Sequence, residues 1–239
     1  MIGVIIVTYH SEKYIGTCLA SVFSQEVPIR VVIVDNASTD KSVEIAERFP
    51  EVVVIKNQTN EGFAKAVNKG VQKCLEEGIE FILLLNPDTR LEQGSLQNML
   101  KTMQADEKRM IVQPLLTLMK EPKKINTWGN EYRGFGLVSL GGFRKSIPHL
   151  EDRILEYASG ACMLVRGEAF RKKGLLDERF FLYYEDTEFS ERVRKEGDEI
   201  WLSSAARVRH DYKWPFSWNK ISAYVKSWKQ FKKRQKTPL

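Results

Sequence analysis

The chain opens with the apolar run IGVIIVT at residues 2–8, and this run decides the fold class because three similar runs follow it. Residues 4–8, 31–35, 52–56 and 81–86 are continuously apolar and rich in β-branched side chains, which is typical of strands buried on both faces. Helical patterns at residues 12–24, 41–49 and 64–77 separate them. This alternation predicts βαβ units, and therefore an α/β fold with a mostly parallel sheet flanked by helices.

The second half of the chain is less regular. The pattern predicts helices at 92–104, 168–173 and 186–196, with strands at 110–113, 161–165 and 205–209. Residues 120–156 combine Gly, Pro, Lys and aromatic residues, which favours a loop with a short hairpin near a site. We therefore divide the chain into residues 1–113, residues 114–211 and a C-terminal segment, residues 212–239.

The composition excludes several classes of protein. A chain of 239 residues, 43% of them hydrophobic, can form a substantial core and is too apolar to be disordered. Eight of its 37 basic residues and none of its 31 acidic residues lie in 212–239, so the rest has 29 basic against 31 acidic residues and a net charge of −2. The overall charge of +6 therefore describes the C-terminal segment and not a basic nucleic-acid-binding domain.

The cysteines and the apolar runs indicate the compartment. Cys18, Cys74 and Cys162 are far apart and form no metal-binding or disulfide pattern, which favours a reduced, cytoplasmic setting. The apolar runs are shorter than the roughly 20 residues of a membrane-spanning helix. Since the first residues lack a basic region and a cleavage site, we expect no signal peptide.

Polar residues follow the predicted strands at the ends where an open α/β sheet binds ligands. They occupy residues 8–10, 35–40, 60–63 and 86–89, and they include acids, amides, hydroxyls, an aromatic residue and a glycine. This combination suits a nucleotide with a metal ion. The chain contains neither the GxGxxG turn of dinucleotide-binding folds nor a GxxxxGK[ST] loop, which excludes both of those nucleotide-binding classes.

Successive segments of the chain resemble signatures of the family 2 glycosyltransferases. They are VIIVTY (4–9), VIVDNASTD (32–40), GFAKAVN (62–68), LLNPD (84–88), SGACMLVR (159–166), GLLDERFF (174–181), YEDTEF (184–189) and His210. The matches occur in order over residues 2–210, and they are most similar to the rhamnosyltransferase-type members. The resemblance implies a GT-A fold in which residues 1–113 bind the nucleotide sugar and residues 114–211 bind the acceptor.

The resemblance also implies inverting transfer from a nucleoside-diphosphate sugar with Mg²⁺ or Mn²⁺. Asp88 corresponds to the second acid of the family's metal-binding motif, and His210 to a histidine that contacts the metal or the diphosphate. Asn86 stands where the motif usually has an acid, which suggests a weaker or differently held metal. The alternatives are a turn at residues 86–89 and a structural role for His210.

Asp35 corresponds to the acid that accepts the N3–H of uracil or thymine, with Thr8 and Tyr9 beside the ring. This assignment favours a UDP- or dTDP-sugar over a CDP-sugar. Alternatively, Asp35 holds the turn at residues 36–40 that follows its strand, and Tyr9 is a packing residue. The other residues expected around the donor are His10, Asn36, Gly62, Lys65, Asn68, Asn86, Asp88, Ser159 and Gly160.

The catalytic base is expected in the Glu185-Asp186 pair. In an inverting displacement a carboxylate takes the proton of the attacking hydroxyl, and Asp186 corresponds to that base while Glu185 shapes the pocket. Glu185 remains the alternative base. Acids that open a helix also serve as caps and interact with the helix dipole, so a purely structural role is the other interpretation.

The C-terminal segment has helical periodicity with an aromatic face. Trp218, Tyr224, Trp228 and Phe231 recur at helical spacing among lysines, which is typical of an amphipathic helix on an anionic membrane surface. Packing on the catalytic domain is the alternative, and single-stranded nucleic acid is a weaker one.

The sequence thus predicts a metal-dependent inverting glycosyltransferase that acts at the cytoplasmic face of the membrane. The expected donor is a UDP- or dTDP-sugar, dTDP-rhamnose first, and the expected acceptor is a glycan or a polyprenyl-diphosphate-linked sugar. A sugar nucleotidyltransferase would carry a Gly-rich, Arg-containing loop after the first strand, where this chain has Thr8-Tyr9-His10-Ser11-Glu12. A non-catalytic binding protein of the same fold is the other alternative.

Overall fold

The computed structural model describes residues 1–212 and 218–235. Its first half alternates strands and helices, as the apolar runs predict. In chain order the elements are β1 (Ile2–Thr8), α1 (Ile15–Phe23), β2 (Ile29–Asp35), α2 (Ser42–Ala46), β3 (Val52–Lys56), α3 (Phe63–Glu76) and β4 (Phe81–Leu85). The predicted α/β class is confirmed, and these elements differ from the expected ones only at their ends.

The second half contains more strand than the sequence indicates. Its elements are β5 (Thr89–Leu91), α4 (Ser95–Gln104), β6 (Arg109–Leu118), β7 (Glu121–Thr127), β8 (Asn130–Tyr132), β9 (Val138–Leu140), β10 (Arg153–Ile154), β11 (Cys162–Arg166), α5 (Gly167–Lys173), α6 (Glu185–Lys195), β12 (Glu199–His210) and α7 (Trp218–Gln235). The stretch expected to be a loop, residues 120–156, includes β7 and the β8–β9 hairpin.

The sequence predicts only short parts of β6 and β12, because a β-bulge interrupts the alternation of their side chains. Ser203 pairs with Pro114, whereas the next pair is Arg207 with Leu115. Proline has no N–H to donate to the sheet, so a bulge at this point costs fewer hydrogen bonds. The extra residues disturb the alternation of side chains, which is why the sequence predicts only fragments of both strands.

The central sheet has the order β10-β12-β6-β11-β4-β1-β2-β3. Strands β4, β1, β2 and β3 are parallel, as expected, whereas β11 runs antiparallel to both β4 and β6. The sheet is therefore mixed beyond β4. The reversal has a direct consequence for the site, since β11 begins at the same edge at which β4 ends.

Helices cover both faces of the sheet. On one face α3 packs through Val67 and Val71 against Ile5 of β1, and on the other α1 packs through Ile15 and Leu19. The carboxyl ends of the strands project beyond these layers. Apolar packing thus fixes the strands, while the polar residues after them remain at the edge of the sheet.

The C-terminal helix α7 packs on the domain. Phe231 is fully buried in a cluster with Phe180 and Tyr184, and Trp228 and Tyr224 pack against the same cluster. Trp218, Ile221 and Val225, which the sequence places on the same aromatic face, are exposed. The helix α7 is therefore packed on the folded domain. Lys213 and Lys236 lie outside the described residues.

The described residues include no helix that is both long enough and apolar enough to cross a membrane.

Candidate active site

The polar residues that follow the strands meet at one edge of the sheet, which we call the polar edge. The ends of β1, β2 and β4 contribute residues 8–10, 35–40 and 86–88. The start of β11 contributes residues 159–161, because the N–H of Asn86 donates to the carbonyl of Ala161 at 2.9 Å. His210 joins them at the end of β12, where it pairs with Thr89 of β5.

Asp35 is held at the end of β2 by three hydrogen bonds. Thr8 Oγ1 and Ser38 Oγ donate to Asp35 Oδ1 at 2.7 and 2.6 Å, and the N–H of Ser38 donates to Oδ2 at 2.8 Å. Asp35 therefore organises the turn after β2, as the structural alternative holds. An ionised carboxylate has about four acceptor positions, so one remains on Oδ2 for another donor.

Tyr9 and His10 form an aromatic surface beside Asp35. Their ring centroids are 4.3 Å apart, and 51% of Tyr9 is exposed. His10 adopts a positive φ of 50°, and its N–H donates to Ser38 Oγ. The exposure of Tyr9 argues against a packing role and leaves its ring accessible for stacking on a base.

Asn36 and Gly62 connect the ends of β2 and β3 to the catalytic half. Asn36 Nδ2 donates to the carbonyl of Gly62 at 3.1 Å, and Asn57 Nδ2 donates to Asn36 Oδ1 at 2.8 Å. Gly62 has a φ of 87°, and a Cβ there would lie 2.6 Å from the carbonyl oxygen of Phe181. Both residues therefore act by fixing backbone, since the amide of Asn36 is occupied and buried.

Asn68 has a different role from the one that the resemblance implies. Its Nδ2 donates to the carbonyl of Leu176 and to Glu178 Oε1, and its Oδ1 accepts the N–H of Leu176. The side chain is buried and every polar atom is used, so it is not available to a donor ribose. Lys65 remains half-exposed on α3 and lies 3.5 Å from Glu61.

Asp88 and His210 lie together at the polar edge. His210 Nε2 is 3.4 Å from Asp88 Oδ1, a contact too poorly aligned for a hydrogen bond, so Oδ1 is buried without a hydrogen-bond partner. His210 Nδ1 is 2.8 Å from Asn126 Oδ1. A proton on Nδ1 that is donated to Asn126 leaves Nε2 unprotonated, which is the form that binds metals.

These residues fit a metal that is completed by a ligand from outside the protein. Among the described residues no group of three His, Cys, Asp or Glu side chains forms a metal site. A divalent ion on a diphosphate commonly takes only one or two protein carboxylates and obtains its other ligands from phosphate and water. The unpartnered Asp88 oxygen matches that arrangement, and Asn86 contributes no second charge.

Asp186 is joined to the polar edge by the backbone of Gly160. The N–H of Gly160 donates to Asp186 Oδ2 at 2.8 Å, and the N–H of Thr187 donates to Oδ1 at 2.6 Å. A Cβ at Gly160 would lie 3.3 Å from the Cβ of Asp186. The small residue thus permits the close approach of β11 to the first turn of α6. Ser159 is held beside it by Gln113, whose Oε1 accepts the Ser159 N–H at 2.6 Å.

The two carboxyl groups have different environments. Burial is the main cause that raises the pKa of Glu185 well above its usual value, and the neighbouring Asp186 charge raises it further. Burial also raises the pKa of Asp186, although the N–H groups of Gly160 and Thr187 oppose the shift. Glu185 Oε2 has no hydrogen-bond partner. The N–H donors at Asp186 stabilise its ionised form, and Glu185 Oε2 has no such donor.

Sequence reasoning missed the residues that support the site. Gln113 and Asn126 are buried amides in strands, and Tyr14 donates its hydroxyl to Asp211 Oδ2 at 2.8 Å beside Asp88 and His210. A polar residue within a buried strand is the signal that could have identified Gln113. Asn126 carried no such signal, because the sequence predicts a loop at that position.

Comparison with known proteins identifies the family. The sequence model of glycosyl transferase family 2 matches residues 3–174. An N-acetylglucosaminyl-diphospho-decaprenol L-rhamnosyltransferase of Mycobacterium tuberculosis is 29% identical over 238 residues, which cover 88% of this chain and 76% of the relative. A dTDP-rhamnosyl transferase, RfbF, of Shigella flexneri is 27% identical over 211 residues, which cover 86% and 67%.

A solved structure supports the fold. The structure of GalNAc-T7 with UDP, GalNAc and Mn²⁺ has a TM-score of 0.78 at 16% identity and covers 97% of this chain. This chain spans about half, 47%, of that protein's chain. The fold is therefore of the predicted GT-A type. The chain belongs to glycosyl transferase family 2, and it is similar to the family's rhamnosyltransferases.

The raised pKa of Glu185 predicts a pH-dependent effect of Glu185→Gln on stability. The folded state favours the protonated form of Glu185. The contribution of this form to stability is therefore complete at pH values below the pKa of Glu185 in the unfolded chain. It is lost as the pH rises through the higher pKa of Glu185 in the folded protein. Glutamine carries no charge to bury. Relative to the wild type, the variant should gain about 1 kcal/mol or more in unfolding free energy as the pH rises from about 5 to about 9.

Urea unfolding of both proteins at the two pH values measures this difference. A difference that stays constant with pH would show that Glu185 is not held in its protonated form by the fold.

Proposed function

We propose that this protein is an inverting, metal-dependent glycosyltransferase that transfers a sugar from a UDP- or dTDP-sugar to an acceptor hydroxyl. The observation that carries the proposal is the position of Asp186. Its carboxylate is fixed by Gly160 directly beside the edge where Asp35 and Asp88 follow their strands. A base and a candidate diphosphate site on one edge are the arrangement that a single displacement requires.

The nucleotide would lie between β1 and β2. The exposed ring of Tyr9 offers a stacking surface, and the free acceptor position of Asp35 suits a ring N–H, as in uracil or thymine. The names of the relatives favour rhamnose, and one of them names a dTDP donor. We therefore take dTDP-rhamnose as the first candidate donor.

The diphosphate would lie at Asp88 and His210, which would hold Mg²⁺ or Mn²⁺. When bound there, the metal neutralises charge on the diphosphate that departs from the anomeric carbon. Asp186 removes the proton from the acceptor hydroxyl as that oxygen attacks the opposite face of the sugar. Burial raises the pKa of Glu185, whereas the N–H donors of Gly160 and Thr187 oppose the rise at Asp186, which favours Asp186 as the base.

The acceptor would be a glycan on a lipid carrier at the cytoplasmic face of the membrane. The Mycobacterium relative is named for a sugar that is attached through a diphosphate to decaprenol. On α7 the exposed Trp218, Ile221 and Val225 form one apolar stripe, and the exposed Lys226 and Lys229 lie beside it. Such a surface suits peripheral binding to anionic lipid.

A panel of UDP-, dTDP-, GDP- and CDP-sugars with synthetic polyprenyl-diphospho-N-acetylglucosamine tests the reaction. We expect transfer from dTDP-rhamnose or a UDP-sugar, and we expect Asp186→Asn to lower kcat by about 10²- to 10⁴-fold because no base remains. Glu185→Gln is the matched control and should lower kcat much less. A folded Asp186→Asn protein with near-normal kcat would contradict the assignment of the base, and pyrophosphate release from a nucleoside triphosphate and a sugar phosphate would contradict transfer.

Chelation tests the metal. Treatment with EDTA should abolish transfer, and Mg²⁺ or Mn²⁺ should restore it, because Asp88 and His210 would otherwise face the diphosphate without a cation. Asp88→Asn should raise the metal concentration needed for half-maximal transfer by about tenfold or more, which corresponds to one lost charged ligand. Asp106→Asn, at an exposed position between α4 and β6, is the control. Turnover that is undiminished by EDTA would remove the metal from the reaction.

A further inference from the structure

The helix α7 contacts the segment that leads into the catalytic pair, residues 177–184, which we call the approach segment. We propose that Tyr224 and Ser227 of α7 are positioning residues that fix the approach segment and thereby the carboxylate of Asp186. The inference rests on the proposed function. It assigns to α7 a part in the transfer step that is separate from any contact with a membrane.

The approach segment has a strained backbone next to the active site. Tyr183 and Tyr184 have φ values of 70° and 71°, in the left-handed region. For residues other than glycine this conformation is strained, and it persists only where surrounding contacts impose it. The helix α6 begins at the next residue, Glu185, so the direction of this strained turn sets the position of Asp186.

Two side chains of α7 hold the segment at its strained end. Ser227 Oγ donates to the carbonyl of Leu182 at 2.9 Å, and Ser227 is almost fully buried. The hydroxyl oxygens of Tyr224 and Tyr184 are 3.1 Å apart and share a hydrogen bond. These contacts fall on the residues immediately before the catalytic pair. Without them the carbonyl of Leu182 loses the hydrogen bond from Ser227, and the hydroxyl of Tyr184 loses its hydrogen bond with Tyr224.

Further along α7, Phe231 and Arg234 attach the rest of the segment. The Phe231 ring lies 5.3 Å from that of Tyr184 and is fully buried with Phe180. Arg234 contacts Asp177 at 3.2 Å and the fully buried Glu188 at 2.6 Å. Asp177 begins the segment and Glu188 lies in the first turn of α6. One arginine therefore connects α7 to both ends of the turn that carries Asp186.

Asp35 and Asp88 are held by contacts that do not involve the approach segment. Asp35 is held by Thr8 and Ser38, and Asp88 follows β4, which lies in the middle of the sheet. Loss of the α7 contacts should therefore displace Asp186 and leave Asp35 and Asp88 in place. A displacement of about 1 Å in a catalytic group can lower a rate by about 10²-fold.

The test is the double variant Tyr224→Phe/Ser227→Ala of the full chain, which removes two hydroxyl groups and leaves the helix and its packing intact. Ser222→Ala, at an exposed position of α7, is the matched control. With a detergent-solubilised polyprenyl-diphospho-N-acetylglucosamine acceptor, kcat of the double variant should fall about 10- to 100-fold. The donor KM should stay within about twofold of the wild type, since the nucleotide site is unchanged.

The pH profile of kcat separates positioning from general loss of structure. Burial and the Gly160 N–H together set the pKa of Asp186, so a displaced carboxylate should move the acidic limb of the profile by a measurable fraction of a pH unit, while the control keeps the wild-type limb. A double variant with wild-type kcat and an unchanged acidic limb overturns the inference, as does a rise in donor KM that matches the fall in kcat. If the wild type itself transfers no sugar from any donor, the proposed function has failed instead.

Discussion

The hydrogen bond from the Gly160 N–H to the Asp186 carboxylate joins the two parts of the active site. Gly160 belongs to the strand-end residues that meet Asn86 and Asp88, whereas Asp186 belongs to α6, which packs in the other half of the domain. The contact exists because β11 runs against the direction of β4 and so begins where β4 ends. The antiparallel strand thereby brings Asp186, the proposed base from late in the chain, to the polar edge that is built early in the chain.

This arrangement places two carboxyl groups in a poorly solvated position, which is costly unless each is neutralised or hydrogen-bonded. The two carboxyl groups differ in how the cost of burial is reduced. Asp186 accepts N–H donors from Gly160 and Thr187, whereas Glu185 has an unpartnered oxygen and a strongly raised pKa. The hydrogen bonds at Asp186 thus favour its ionised form, whereas burial favours the protonated form of Glu185. In the proposed arrangement, the strained turn before the pair and the contacts of α7 hold Asp186 in position.

Local patterns predict the first half of the fold and the strand-end residues well. Buried parallel strands produce continuous apolar runs, and their ends reveal Thr8, Asp35 and Asp88 without any knowledge of contacts. The resemblance to family 2 glycosyltransferases adds Asp186, and the structure brings these residues to one edge. The sequence could not show that Asn68 uses its whole amide to hold residues 176 and 178, because that contact spans more than 100 positions of the chain.

The same limit explains the errors in the second half. Pro114 and the bulge opposite it conceal β6 and β12, and the Gly, Pro and Lys content of residues 120–156 conceals β7, which carries Asn126. In α7 the periodicity predicts one aromatic face, but helical spacing alone does not say which aromatic residues meet the protein. Phe231 and Tyr224 pack on the approach segment, while Trp218 remains exposed.

The most direct test of the account is a crystal structure with dTDP or UDP and Mn²⁺. We predict that the nucleobase lies between Tyr9 and Asp35 and that the diphosphate lies beside Asp88 and His210. A nucleotide bound instead in the surface groove of about 540 Å³ along α1 and β5, which Arg90 and Arg209 line, would contradict it.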